Sequence, residues 1–261
     1  MRLPIYQVDA FTDRLFGGNP AAVVPLEQWL PDATMQAIAA ENNLSETAFF
    51  LREGAEYALR WFTPAAEIDL AGHPTLATAY VIFRFLEPAS SKVTFRTLKA
   101  GRLTVSRQGD ALAMDFPARP PQPCTVPATL APALGKPPAL VLAARDYMAV
   151  YDRAADVAAL RPDFAALARL DRALVIATSQ GEGDIDFVSR CFAPAHGINE
   201  DPVTGSAHCT LIPYWAERLG KNRLRARQIS ARGGDLACES KDERVTIAGR
   251  AVLYLEGSIL L

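Results

Sequence analysis

Arg60-Trp-Phe-Thr-Pro-Ala65 is followed, at an offset of 130 residues, by Arg190-Cys-Phe-Ala-Pro-Ala195. Ile68-Asp69 matches Ile198-Asn199 at that offset, and three inserted residues later Ala71-Gly-His-Pro74 faces Thr204-Gly-Ser-Ala207 at an offset of 133. The new offset then holds. Ile82 and Leu86 pair with Trp215 and Leu219, Gly101-Arg-Leu103 with Gly234-Asp-Leu236, and Leu112 and Met114 with Val245 and Ile247. One insertion between matching blocks is what two diverged halves of a duplicated fold show. The halves are expected to divide at residues 1–118 and 119–261, with the last strand free to return to the first lobe.

Within the first half, Ile5 to Ala10 and Ala21 to Val24 have strand character around a Gly17-Gly-Asn-Pro20 turn, and Pro31 to Glu41 a helix ended by Asn42-Asn43. Glu46 to Leu51 and Tyr57 to Phe62 form a strand pair turning at Glu53-Gly54. Pro74 to Leu86 is helical, and Arg102 to Arg107 and Ala111 to Phe116 make a hairpin. Eight prolines between Phe116 and Ala139 suggest an extended connector rather than a core element. The second half repeats the order: a strand near Leu140, a helix from Ala154 to Leu170, strands at Ala173 to Thr178 and Asp184 to Phe192, and a helix from Ser206 to Leu219 that Pro213 should kink or break. Helices among antiparallel strands point to an α+β fold.

Lys and Arg total 27 against 29 Asp and Glu, a net charge of −2, which argues against a partner held by bulk basic charge such as nucleic acid. Arg223, Arg225 and Arg227 alternate with other residues, as on the solvated face of a strand. No apolar run is long enough to span a bilayer, and the N-terminus lacks the apolar core of a signal peptide. Four widely spaced cysteines fit free thiols in a reducing cytoplasm, and three histidines without ligand spacing argue against zinc.

The copies differ where chemistry would sit. Glu46, in Asn43-Leu-Ser-Glu-Thr-Ala-Phe49, aligns with Ile176 in the other half. A carboxyl beside Ala48, Phe49 and Phe50 faces desolvation, which favours its protonated form and suits it to taking and returning a proton; an exposed strand-end Glu is the equal alternative. The junctions Gly72-His73 and Gly205-Ser206 each open a helix, whose first amides and partial positive charge suit an anion, unless they are ordinary caps with Ser206 as the N-cap residue. His73 is there a candidate proton shuttle. Asp201 lies in a segment inserted in one copy only, which suggests recognition as readily as a turn. Gly181-Glu-Gly-Asp-Ile-Asp186 leads into a strand rather than a helix, so a dinucleotide loop is rejected. Ser206 with a histidine and Asp201 lacks the nucleophile elbow of a hydrolase.

Val8-Asp-Ala-Phe-Thr12, Gly17-Gly-Asn-Pro-Ala-Ala-Val-Val24, Asn43-Leu-Ser-Glu-Thr-Ala-Phe49, Asp69-Leu-Ala-Gly-His-Pro-Thr75 and Glu200-Asp-Pro-Val-Thr-Gly-Ser-Ala207 together resemble, in order and nearly end to end, the PhzF-like family of phenazine-biosynthesis-related isomerases. The resemblance implies the diaminopimelate-epimerase-like fold: two pseudo-symmetric lobes, each a strand roll around a central helix, with the active site in the cleft between them. It further implies a homodimer, no cofactor, no metal and a small carboxylate-bearing substrate. The family's proton-transferring glutamate falls on Glu46. Its histidine falls on His73, its aspartate and serine on Asp201 and Ser206, its backbone donors on Gly72 and Gly205, and Ser45 stands beside the carboxylate in ligand reach. Related epimerases carry a cysteine before each glycine; here those positions are Ala71 and Thr204, so two-thiol stereoinversion is not available and proton redelivery by one carboxylate is. The expected activity is therefore a cytoplasmic isomerase. The competing expectations are an amino- or hydroxy-acid epimerase, with Glu46 and either His73 or Asp201 as bases, and a non-catalytic binding protein on the same scaffold.

Overall fold

Val23, Val24, Phe49 and Phe50 are residue types that fit a pleated, buried surface, and they lie in adjacent parallel strands of the computed structural model, which describes residues 1–261. The chain forms two units, Met1–Asp115 with Ala248–Leu261, and Phe116–Ile247.

The first unit runs β1 (Arg2–Ala10), β2 (Asn19–Leu26), α1 (Asp32–Asn42), β3 (Glu46–Glu53), β4 (Glu56–Phe62), β5 (Glu67–Ile68), α2 (Gly72–Val81), β6 (Lys92–Thr97), β7 (Arg102–Gln108) and β8 (Ala111–Pro117). β1 is antiparallel to β2, β2 parallel to β3 across α1, β3 antiparallel to β4, and β4 parallel to β6 across α2. Every α2 residue but Tyr80 is buried, so the helix is wrapped on all sides rather than on one stripe.

The second unit runs β9 (Gln122–Pro123), α3 (Leu130–Leu134), β10 (Leu140–Ala143), β11 (Tyr147–Val150), α4 (Ala154–Ala158), α5 (Phe164–Leu167), β12 (Val175–Gln180), β13 (Phe187–Ala193), β14 (Ile198–Asp201), α6 (Gly205–Leu219), β15 (Arg223–Gln228), β16 (Gly234–Lys241) and β17 (Arg244–Gly249). Its pairings repeat those of the first: β10 antiparallel to β11, β11 parallel to β12, β12 antiparallel to β13, and β13 parallel to β15 across α6. β18 (Ala251–Leu260) belongs to the first unit and pairs antiparallel with β1. The repeat in the sequence is thus a repeat in connectivity. No helix is long and apolar enough to cross a membrane.

The sheets are mixed, as expected of the rolls, because the crossovers through α1, α2 and α6 return the chain parallel to the preceding strand. Three local expectations need correction. The helix expected over Ala154 to Leu170 is two, α4 and α5. Pro162 has no N–H to continue α4, and Asp163 starts α5 by accepting from the Ala166 N–H at 3.0 Å. The proline-rich connector contributes core: Leu130, Ala133 and Leu134 are buried with Tyr147, Val157 and Phe192. Pro213 does not break α6. The carbonyl of Cys209, which a residue at 213 would normally bond, accepts instead from the Arg119 N–H at 2.8 Å. That connector repairs the helix it precedes.

The turn between β1 and β2 is held by the buried Asp9, whose carboxylate accepts from the Phe16 N–H at 3.0 Å. Gly18 adopts φ +61°, and a Cβ there would lie 2.1 Å from the Ala10 carbonyl oxygen. Gly18→Ala is expected to lower unfolding free energy by about 1–3 kcal/mol or more, from the left-handed backbone plus the clash. A wild-type urea midpoint in that variant would contradict the assigned turn.

Candidate functional site

In the first unit, Asn43 ends α1 in the left-handed conformation, and after Ser45, a half-buried turn residue, Glu46 opens β3. The parallel register sets Glu46 beside Ala21 of β2. α2 begins two residues earlier than the expected start at Pro74: Ala71 is the N-cap residue, and Gly72 and His73 lie in the first turn. Local sequence makes this start, since Pro74 is tolerated only where its missing N–H is not needed. The Ala71 carbonyl accepts from the Thr75 hydroxyl at 2.6 Å.

His73 Nε2 lies 3.2 Å from Glu46 Oε2, with the two side chains 4% and 13% exposed. The contact has the geometry of an ion pair, but burial pulls the His73 pKa down to about 3, against which the Pro20 carbonyl pulls upward. The imidazole is neutral, because burial strongly disfavours its charged form. The bond to the Pro20 carbonyl requires a ring N–H; with Nε2 turned to Glu46, Nδ1 supplies it. Nε2 then faces the carboxyl as the unprotonated nitrogen, in a close contact that does not have hydrogen-bond geometry. The histidine is fixed in one tautomer by the backbone.

In the second unit, Thr204 rather than Ser206 is the N-cap residue of α6, and its hydroxyl makes no bond to the helix amides. It donates instead to Asp201 Oδ2 at 2.5 Å. The Thr204 carbonyl lies 2.8 Å from Nδ1 of His208, the position that corresponds to Thr75 in the first unit. Burial lowers the His208 pKa to about 4. Gly205 is buried at the helix start, and Ser206 Oγ accepts from Arg145 Nη2 at 3.2 Å. Ser206 and His208 therefore point to different partners, and no hydrolase triad is assembled.

The structure thus brings Glu46 together with His73, and Asp201 together with Thr204. Three participants escaped the sequence reading. The Pro20 carbonyl belongs to the Gly-Gly-Asn-Pro stretch, which offered a signal only as a turn. Arg145 lies in a β10–β11 turn, with no motif around it. Gln228 is fully buried at the end of β15: its Oε1 accepts from the Thr204 N–H at 2.9 Å, and its Nε2 donates to the Asp201 carbonyl at 2.7 Å and to Thr204 Oγ1 at 3.2 Å. A lone polar residue closing the buried alternation Leu224, Ala226, Gln228 was the available sign; Arg223, Arg225 and Arg227 are the exposed face of that strand. No group of three or more His, Cys, Asp or Glu side chains is arranged to hold a metal ion, and all four cysteines are free.

A family model described as phenazine biosynthesis-like protein, PhzC-PhzF, matches residues 8–257. A relative named as an uncharacterized isomerase, from Pseudomonas aeruginosa, is 54% identical over 261 residues, with 100% of each chain covered. The crystal structure of a phenazine biosynthesis protein of the PhzF family from Enterococcus faecalis is 48% identical and matches with a TM-score of 0.96 over 100% of both chains. A hydroxyproline epimerase from Agrobacterium vitis, at 11% identity, shares the fold alone, with a TM-score of 0.62 over 99% of this chain and 92% of that one.

Proposed function

This chain belongs to the phenazine biosynthesis-like (PhzC-PhzF) family, and from that membership we propose a cofactor-independent isomerase that moves a proton within a small carboxylate-bearing metabolite. An isomerase-type role is the family-level reading carried by the relatives' names. The finer reading is supported by one observation: Glu46 and a neutral His73 stand 3.2 Å apart, both largely buried, in the first unit.

Glu46 takes the proton from carbon and returns it to another carbon. His73, held neutral by burial, stands beside that carboxyl, which alone carries the proton from one carbon to the other. Ser45 and the Gly72 amide are assigned to substrate binding. In the second unit Asp201 orients the substrate, while the Gly205 and Ser206 amides at the start of α6 hold developing negative charge. An epimerase needs a base for each face of the carbon; with Ala71 and Thr204 in the N-cap positions, neither helix start carries a thiol to serve as one.

Cyclic and unsaturated carboxylates, 2,3-dihydro-3-hydroxyanthranilate among them, are to be incubated with the protein in deuterated water. The expected outcome is an isomerised product carrying deuterium at carbon for at least one member. If every member returns unlabelled and unisomerised, the assignment is rejected. Change in optical rotation without positional isomerisation would favour the epimerase.

A further inference from the structure

Gln228 bonds to both Asp201 and Thr204 and accepts from the Cys191 thiol at 3.8 Å, and its hydrogen bonds have a direction that can be worked out. A backbone N–H can only donate, so the atom 2.9 Å from the Thr204 N–H must be the amide oxygen. That fixes the flip of the side-chain amide. The other end is NH2, and it donates to the Asp201 carbonyl at 2.7 Å and to Thr204 Oγ1 at 3.2 Å. With Thr204 Oγ1 accepting there, the hydroxyl proton is turned toward Asp201 Oδ2, 2.5 Å away. The relay runs one way, from the Gln228 amide through the Thr204 hydroxyl to the Asp201 carboxylate.

We propose that Gln228 is a positioning residue, which keeps the side chain of Asp201 an ionised hydrogen-bond acceptor by setting the direction of the Thr204 hydroxyl. This rests on the isomerase reading for its purpose but not for its chemistry. A carboxylate that always receives a proton from Thr204 is suited to accept from an N–H or O–H group of a ligand. It is not the acid of the reaction; that role stays with Glu46. Three further observations fit a built device. Gln228 is 0% exposed. Ser230 Oγ, two residues on, donates to the Pro202 carbonyl at 2.8 Å and pins the same turn. Thr204 spends its hydroxyl on Asp201 rather than on capping α6.

The test titrates the Asp201 carboxyl by carbon-detected NMR in the wild-type protein, Gln228→Leu and Thr204→Val, and follows amide exchange at Thr204. Other titratable and charged groups of this neighbourhood, Cys191, His208, Glu200 with its partner Arg190, and Asp146 with its partner Arg145, are the same in all three proteins. Both variants are expected to raise the Asp201 midpoint by about one pH unit, a tenfold gain in proton affinity. Gln228→Leu should also speed Thr204 amide exchange by tenfold or more. Merely structural packing would leave the midpoint in place in a folded variant. A midpoint within 0.2 unit of wild type in Thr204→Val, which keeps the side-chain volume, overturns the proposal even if Gln228→Leu fails to fold. Neither readout uses turnover, so a failed isomerase assignment would show in the deuterium experiment and leave this result standing or falling by itself.

Discussion

Glu46→Gln is expected to cut deuterium incorporation and turnover by roughly 10²–10⁴-fold, the usual range for loss of a positioned acid–base group. This substitution separates chemistry from folding unusually well. Glutamine keeps the size and shape of the side chain that stands 3.2 Å from His73 Nε2, and lacks the ionisable carboxyl. The ring keeps its Pro20 partner, α2 keeps its first turn, and only the transferable proton is lost. Expected results are therefore a wild-type melting profile, unchanged substrate-induced thermal stabilisation, and turnover near the background rate. Full activity in Glu46→Gln would move the proton transfer to another group. A loss of activity accompanied by unfolding would say instead that the carboxyl is structural.

Acidification from pH 6.5 to about pH 4 should destabilise the protein before most of its carboxylates titrate. His73 and His208 are both buried and held neutral, with pKa values near 3 and 4 against 6.5 for an exposed ring. Below pH 6.5 the unfolded chain gains protons that the folded chain refuses, so stability present at neutral pH is lost as pH falls. For each histidine the loss approaches 1.4 kcal/mol per pH unit, and ends where the folded ring itself protonates. Between pH 6 and 4 the two together account for about 4–5 kcal/mol, a large part of an ordinary domain's stability of roughly 5–15 kcal/mol. Because one lies in each unit, both units should weaken. Urea midpoints measured at pH 7, 5.5 and 4.5 test this. Equal midpoints at pH 7 and 4.5 would mean that the rings are solvated or already charged at neutral pH.

Much of the site was legible along the chain because its residues are local. Glu46 follows a helix end and opens a strand; His73 and Ser206 adjoin glycines that start helices; the offset of 130 to 133 residues pairs those starts with each other. Each such feature is written in a window of a few residues by turn chemistry or period. Where local signals compete, residue type alone does not decide. Ser206 is a good cap residue by type, yet the N-cap of α6 falls on Thr204. Pro213 is a helix breaker by type, yet α6 is continuous because Arg119, far away in sequence, answers the freed carbonyl.

The amino-acid sequence by itself determined the duplication, the two glycine-marked stretches in which helices begin and the asymmetry that puts Glu46 in one copy and Ile176 in the other. Tertiary structure alone decided which groups those residues meet. His73 finds the Pro20 carbonyl, and Thr204 finds Gln228, through strand registers and helix placements that no short window encodes. Charge state was decided there too. Whether a histidine is neutral depends on how completely water is removed from around it, and desolvation belongs to the packed molecule rather than to any segment of the chain.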